Sequence, residues 1–510
     1  MRLAVGAALL AAFGRYAYLR LTVMPPRPMD RYYAGLCPER TPSADDVTAE
    51  LLPVLLTLGQ DITFNCPPPP KGMAWDWRQG GLPSSPDHPS VPPFGILDVL
   101  DTLNGDWGPA TRPHLQAVMA HLELGLTRRE LDELRAWRGR AWCYCTWAEL
   151  SGQSGVVTHR KVRAAVKVLA ADARYQHAQL HDTDAAWEDL KTGLWLADSL
   201  TPDSLISILV SAACQQYCLD ELRNMTLERD ISPALAADMD ATLRAISPLA
   251  DRWRSAVRGE AAAWQAGVDA CFTRDADGNG WLDVTVQAPY LLAVNRGSAP
   301  TAPPCSRAWN LASVFYNDRR TVEAKLRRFV ALLERVGTQP YADALSAFHG
   351  IEGHAAPFNV FDGRSFSAMT RISSRRAFQT VANGEASRRA TRLIVALQRF
   401  KAEHGDYPDA LAELVPGHID TLPPDPFGAP SFTYRREGPD GYQLYSFGVN
   451  GKDDGGRPGT QRAGRMSEDG DQLFIYPRRA PAMEPTLVPV PETAQPAAPD
   501  TAPAENATRE

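Results

Sequence analysis

The sequence predicts a mainly α protein: an irregular helical bundle or a divergent helical-repeat domain, followed by a small α+β domain in which one helix lies on a three-stranded antiparallel sheet. Three observations lead there. Between residues 118 and 385 apolar residues recur at helical spacing behind capping residues. Between 386 and 477 one such stripe gives way to runs with strand alternation. The segments on either side are rich in proline. At 510 residues, with 44% hydrophobic residues and 12 Trp, the chain can build two or three packed units. Its 53 Lys+Arg against 60 Asp+Glu give a net charge of −7, which offers no basic surface for a phosphate backbone, so no nucleic-acid partner is expected.

The order of elements starts with residues 1–24, where "MRLAVGAALLAAF" sets one arginine before an apolar run from Leu3 to Phe13. That length suits a signal-peptide core better than a membrane span of about 20 residues; an uncleaved anchor with Arg15 and Arg20 at the interface, or a short buried core helix of a cytosolic protein, are the alternatives. Export to a periplasmic or membrane-anchored position in a bacterial envelope is the expectation. Residues 25–117, with "CPPPPKGMAWDWRQGGLPSSPDHPSVPPFG", read as an irregular lead-in interrupted by one helix from about Ala44 to Gln60. The eight cysteines (Cys37, Cys66, Cys143, Cys145, Cys214, Cys218, Cys271 and Cys305) are compatible with disulfides, though Cys214 and Cys218 share a helix face and read as packed thiols.

In the helical region, Thr127 and Glu130 form a capping box. Val162, Val166 and Leu169 mark one apolar stripe, Trp187, Leu190 and Leu194 a second, and Leu235, Met239 and Ile246 a third. Ser232-Pro233 and Ser247-Pro248 each place a capping hydroxyl before a proline suited to a first helical turn. Within residues 275–286, "DADGNGWLD" puts Asp275, Asp277, Asn279, Gly280 and Asp283 at positions 1, 3, 5, 6 and 9 of a calcium loop, whose alternate oxygens point into one concavity. Position 12 is Val286 rather than a bidentate Glu, so a dissociation constant of about 0.1 to 1 mM is expected. An Asn-Gly turn with solvated acids is the alternative.

Residues 386–477 open with a helix striped by Leu393, Leu397 and Phe400 that breaks at Gly405 and Pro408. Phe432 with Tyr434, then Tyr442, Leu444 and Ser446, then Leu473 with Ile475, show strand alternation. The ordered set "ALQRFKAEHGDYP", "DALAEL", "LPPDPFG", "FTYR", "YQLYSFGVNGKDDGG" and "DQLFIYP" resembles the globular part of the type II secretion major pseudopilin, over under a fifth of the chain. The resemblance implies a helix on a small antiparallel sheet and calcium bound in the loop before the last strand. On the positions matching that loop, Asp469 and Asp471 are the implied ligands, with Ser446 and nearby carbonyls beside them; composition adds Asp453 and Asp454. The prepilin cleavage motif and long stalk helix of pseudopilins are missing, and Arg457, Arg462 and Arg465 stand in an insertion of the loop. The chain as a whole resembles bacterial envelope proteins that carry such a domain after helices. Residues 478–510, with no aromatic side chain, read as a disordered tail.

No G-x-x-x-x-G-K-[ST], H-E-x-x-H or G-x-S-x-G pattern occurs. "HGIEGH" groups His349, Glu352 and His354, but Gly350 and Gly353 favour a polar turn there. His404 suits a helix C-terminus. The expected function is a non-enzymatic envelope scaffold with a calcium-stabilised module, acting through protein partners. The alternatives are an exported enzyme with its site between helices and a component associated with a secretion pseudopilus.

Overall fold

A computed structural model describes residues 46–58, 63–64, 73–75, 94–95, 128–142, 159–200, 202–275, 277–281, 318–353, 364–438, 441–458, 470–474 and 487–489. The predicted signal or anchor, Asp283 and Asp469 lie outside the described residues, as do Cys37, Cys66, Cys143, Cys145 and Cys305. The chain divides into two units, residues 1–60 with 119–478, and residues 61–118 with 479–510.

The second unit holds two short antiparallel pairs. Strand β1 (Thr63–Phe64) pairs with β3 (Phe94–Gly95), and β2 (Met73–Trp75) with β7 (Leu487–Pro489). The tail expected to be disordered therefore contributes a strand. Main-chain pairing asks little of side-chain burial, which is why composition did not disclose it.

The first unit is helical, with ten α-helices among the described residues. They are α1 (Thr48–Leu58), α2 (Arg128–Ala136), α3 (His159–Tyr175), α4 (Thr183–Asp198), α5 (Leu205–Glu228), α6 (Pro233–Ala245), α7 (Leu249–Cys271), α8 (Arg319–Val336), α9 (Tyr341–Gly353) and α10 (Arg364–His404). Side-chain caps start several of them: Asp182 accepts from Ala185 N at 2.9 Å, Ser232 from Leu235 N at 3.2 Å, and Asp318 from Thr321 N at 2.9 Å. Ser204 and Ser207 form a reciprocal box at the head of α5. Ser247 does not cap α7 as its sequence suggests. Pro248 holds the N-cap position, and Ser247 N instead donates to Asp198 Oδ1 at 3.2 Å.

Two apolar clusters fill this unit. The first joins α1 to α6 through Leu51, Leu131, Val166, Trp187, Leu194, Leu222 and Met239. The second joins the start of α5 to α7, α8, α9, α10 and a three-stranded antiparallel sheet, through Ile208, Trp253, Val336, Phe348, Leu393, Tyr442 and Phe474. Helix α5 serves both, with Leu205 and Ile208 in the second and Cys218 and Leu222 in the first. Where it meets α4, Gly193 leaves room for Cys218, since a Cβ there would stand 2.7 Å from Cys218 Sγ. Cys214 and Cys218 are buried free thiols, as their spacing suggested.

The sheet runs β4 (Thr433–Arg436), β5 (Tyr442–Ser446), β6 (Gln472–Leu473), with Tyr434 opposite Leu444 and Tyr445 opposite Leu473. The alternation groups Leu473 with Ile475, which lies outside the described residues; Phe474 is buried, 7% exposed, and Leu473 is half-buried. Phe474 N donates to Leu444 O at 2.7 Å, which carries the pairing one residue beyond the strand. Helix α10 covers the sheet yet begins at Arg364, so the boundary drawn at residue 386 falls inside one continuous helix of 41 residues. Arg223 of α5 ties these parts together: its Nη1 donates to Ser387 Oγ at 2.9 Å and Thr391 Oγ1 at 2.7 Å, and its guanidinium lies 5.4 Å from the Phe474 ring centroid.

Candidate functional site

The loop after β5 brings Asp453, Asp454 and Asp471 into one neighbourhood and gives each oxygen-bearing side chain a local donor. Asp471, 4% exposed, accepts from Gly456 N at 2.7 Å and from Asp454 N at 3.1 Å. Asp453 Oδ1 accepts from Tyr445 OH at 3.1 Å and Gly455 N at 2.9 Å, and Asp454 Oδ2 accepts from Asn450 Nδ2 at 2.7 Å. Burial raises the Asp471 carboxyl above its ordinary range; the Asp454 and Gly456 amides oppose the shift, and repulsion from Asp453 and Asp454 adds to it. Gly448 permits the turn, with φ +67 and the Gly470 carbonyl 2.6 Å from where a Cβ would stand.

Ser446 does not turn toward these acids. It is fully buried and donates to Asp425 Oδ1 at 2.8 Å. Asp425 also accepts from Phe427 N at 3.0 Å and Phe447 N at 2.9 Å, so it fastens "LPPDPFG" to the end of β5. The residue pattern of that segment does not by itself disclose this role of Asp425. A carboxylate between two prolines and a Phe-Gly turn was the available signal.

The Asp275 carboxylate is bonded within the 275–281 loop, and the turn closes from Asp275 to Gly278, whose N–H reaches the Asp275 carbonyl at 3.1 Å. Asp275 Oδ1 accepts from Asn279 N at 2.7 Å and Asp277 N at 3.0 Å, and Asp275 Oδ2 accepts from Asn279 Nδ2 at 3.1 Å. This is a carboxylate closing its own turn. The Asp277 carbonyl accepts from Arg320 Nη2 at 2.6 Å, which sets a cation beside the loop. Gly280 is needed because a Cβ would overlap the Thr273 carbonyl oxygen.

"HGIEGH" does not form the turn expected of its glycines: α9 continues through Gly353, and His349 is exposed on it. His354 lies outside the described residues. The buried ionisable groups lie elsewhere and link helices. Asp172 and Asp189, both fully buried, receive Arg135 from α2, and Arg128 adds two bonds to Asp172 at 2.8 and 3.0 Å. Burial, with the neighbouring Asp172 charge, pushes the Asp189 carboxyl well up. Behind α3 a π-turn, Gln176–Leu180, ends at His181 with φ +61 and buries His177, whose Nδ1 lies 3.1 Å from Thr183 Oγ1.

Among the described residues, three ligand atoms of the kind that hold a metal converge within 4.8 Å in one place, at Glu403, His404 and His418. His404 stands at the helix end its type suits, and no motif in the sequence marks His418. Fourteen residues separate the two, and only the reversal after α10 unites them. Also among the described residues, no helix is long and apolar enough to cross a membrane. No protein-family model, curated protein or solved structure matches this chain.

Proposed function

We propose that this chain is a non-enzymatic scaffold of a bacterial envelope, exported or held by its N-terminal segment, that acts through protein contacts and bears a calcium-stabilised, pseudopilin-like C-terminal module. The crowding of Asp453 and Asp454 against the buried Asp471 supports the calcium part, because a dication relieves repulsion that raises the Asp471 carboxyl. Asp469, outside the described residues, is the further ligand that the resemblance supplies.

The scaffold part draws on the use of buried charge. Arg135 bridges α2 to α3 and α4, Arg174 bridges α3 to α5, and Arg392 bridges α10 to α6. These side chains fix helix against helix.

Thermal unfolding of the full chain in chelator and in millimolar calcium tests the reading. At ten times its dissociation constant, calcium should add about 1.4 kcal/mol to the wild type and markedly less to Asp453→Asn or Asp471→Asn. Equal melting of the wild type with and without calcium overturns the calcium assignment.

A further inference from the structure

The end of α10 and the segment that follows it form a second constellation, made of nitrogen as well as oxygen ligands. His404 is the last residue of α10. Its Nδ1 lies 3.0 Å from the Phe400 carbonyl oxygen, which can only accept, so in the neutral ring Nδ1 carries the proton and Nε2 is the nitrogen that can ligate. Fixing one imidazole nitrogen on a main-chain carbonyl is how metal-binding histidines are oriented.

His418 approaches from the loop after the 3-10 turn Leu411–Leu414, held by its own N–H to Leu414 O at 2.8 Å and by Arg399 Nη1 to its carbonyl at 3.3 Å. It is 7% exposed, and its Nδ1 is buried with no hydrogen-bond partner among the described residues. Its Nε2 stands 3.9 Å from Glu403 Oε2. That separation is too long for a hydrogen bond. Metal bonds of about 2.0 to 2.2 Å to each atom would bridge it after a shift of about half an ångström toward tetrahedral spacing. Phe400 steadies both rings, stacking on His404 at 4.1 Å between centroids and meeting His418 edge-on at 5.3 Å.

From this geometry we infer that Glu403, His404 and His418 bind a divalent transition metal of the zinc class. Two imidazoles and one carboxylate are a donor set suited to zinc and poorly suited to calcium. Three protein ligands leave the fourth position to water. The inference is independent of the calcium reading and concerns different residues.

Zinc titration of the full-length protein, stripped of metal by chelator and kept reduced, tests it against His404→Ala and Glu403→Gln. Both substitutions fall on exposed residues, and unchanged melting in chelator checks that each variant is folded. The wild type should bind one zinc more than His404→Ala, with an affinity at least tenfold above that of Glu403→Gln for that ion. Cobalt(II) in place of zinc should give a visible absorption band that His404→Ala lacks. Millimolar calcium should leave zinc uptake unchanged. Equal zinc stoichiometry and affinity in the wild type and both variants overturns the assignment, as does displacement of the zinc by calcium.

Discussion

Glu221 is 6% exposed, between the Arg174 guanidinium at 3.4 Å and Asn224 Nδ2 at 3.2 Å. Burial outweighs both partners and pushes its carboxyl up to about 7 from an ordinary 4.5. The folded state therefore favours the neutral acid. Its contribution to stability is complete below about pH 4.5 and is lost as pH rises through about 7, an effect on the order of 3 kcal/mol. Glu221→Gln, which cannot ionise, should flatten the fall in stability across that interval, read by urea unfolding at a series of pH values. At this scale the residue pattern carries no warning. Nothing in "CLDELRNM" distinguishes Glu221 from a solvated helix acid until α3 is laid against it. Ser446 is a similar case: its hydroxyl donates to Asp425, a partner that residue type alone does not disclose.

Single contacts between elements decide how α7 meets the end of α8. Trp253 Nε1 donates to Leu333 O at 2.8 Å, and its ring passes so close to Gly337 that a Cβ there would stand 2.2 Å from Cδ1. Gly337 has an ordinary helical φ of −64, so alanine is conformationally acceptable and only the overlap counts. Gly337→Ala is expected to cost about 1 to 3 kcal/mol and to lower the melting temperature in calorimetry. Much at this scale was legible. The stripes through Val162 and Trp187 are buried as read, as are Met239 and Ile246 of the third while Leu235 is half-buried, and the Ser232 cap stands where its proline announced it. Two features were not. Strand β6 has only two residues, too few for alternation to choose between Leu473 and Phe474. Helix α10 extends upstream of residue 386 through "RSFSAMTRISSRRAFQT", a polar stretch without a proline to stop it. The meeting of His404 and His418 was hidden for another reason: it depends on a reversal at Gly405, where φ is +86, and on the 3-10 turn that follows.

Across the first unit the resemblance suggested a module, residues 386–477, appended to a helical domain. The packing instead merges them: Leu393, Tyr442 and Phe474 share a cluster with Ile208 and Trp253, and Arg388 donates to Leu243 O at 2.9 Å. A fragment of residues 386–477 expressed alone should accordingly lack a cooperative thermal transition by circular dichroism. A sharp transition would show an autonomous fold.

Helix α10 imposes one further condition. Ser387 and Thr391 engage α5, while about two turns beyond Thr391 Gln398 bonds Tyr407 OH at 2.9 Å and Arg399 reaches the His418 carbonyl. One residue inserted between these groups would rotate everything downstream by about 100°. The two ends of the rod are phase-locked, so this stretch can accept substitutions far more readily than any change of length.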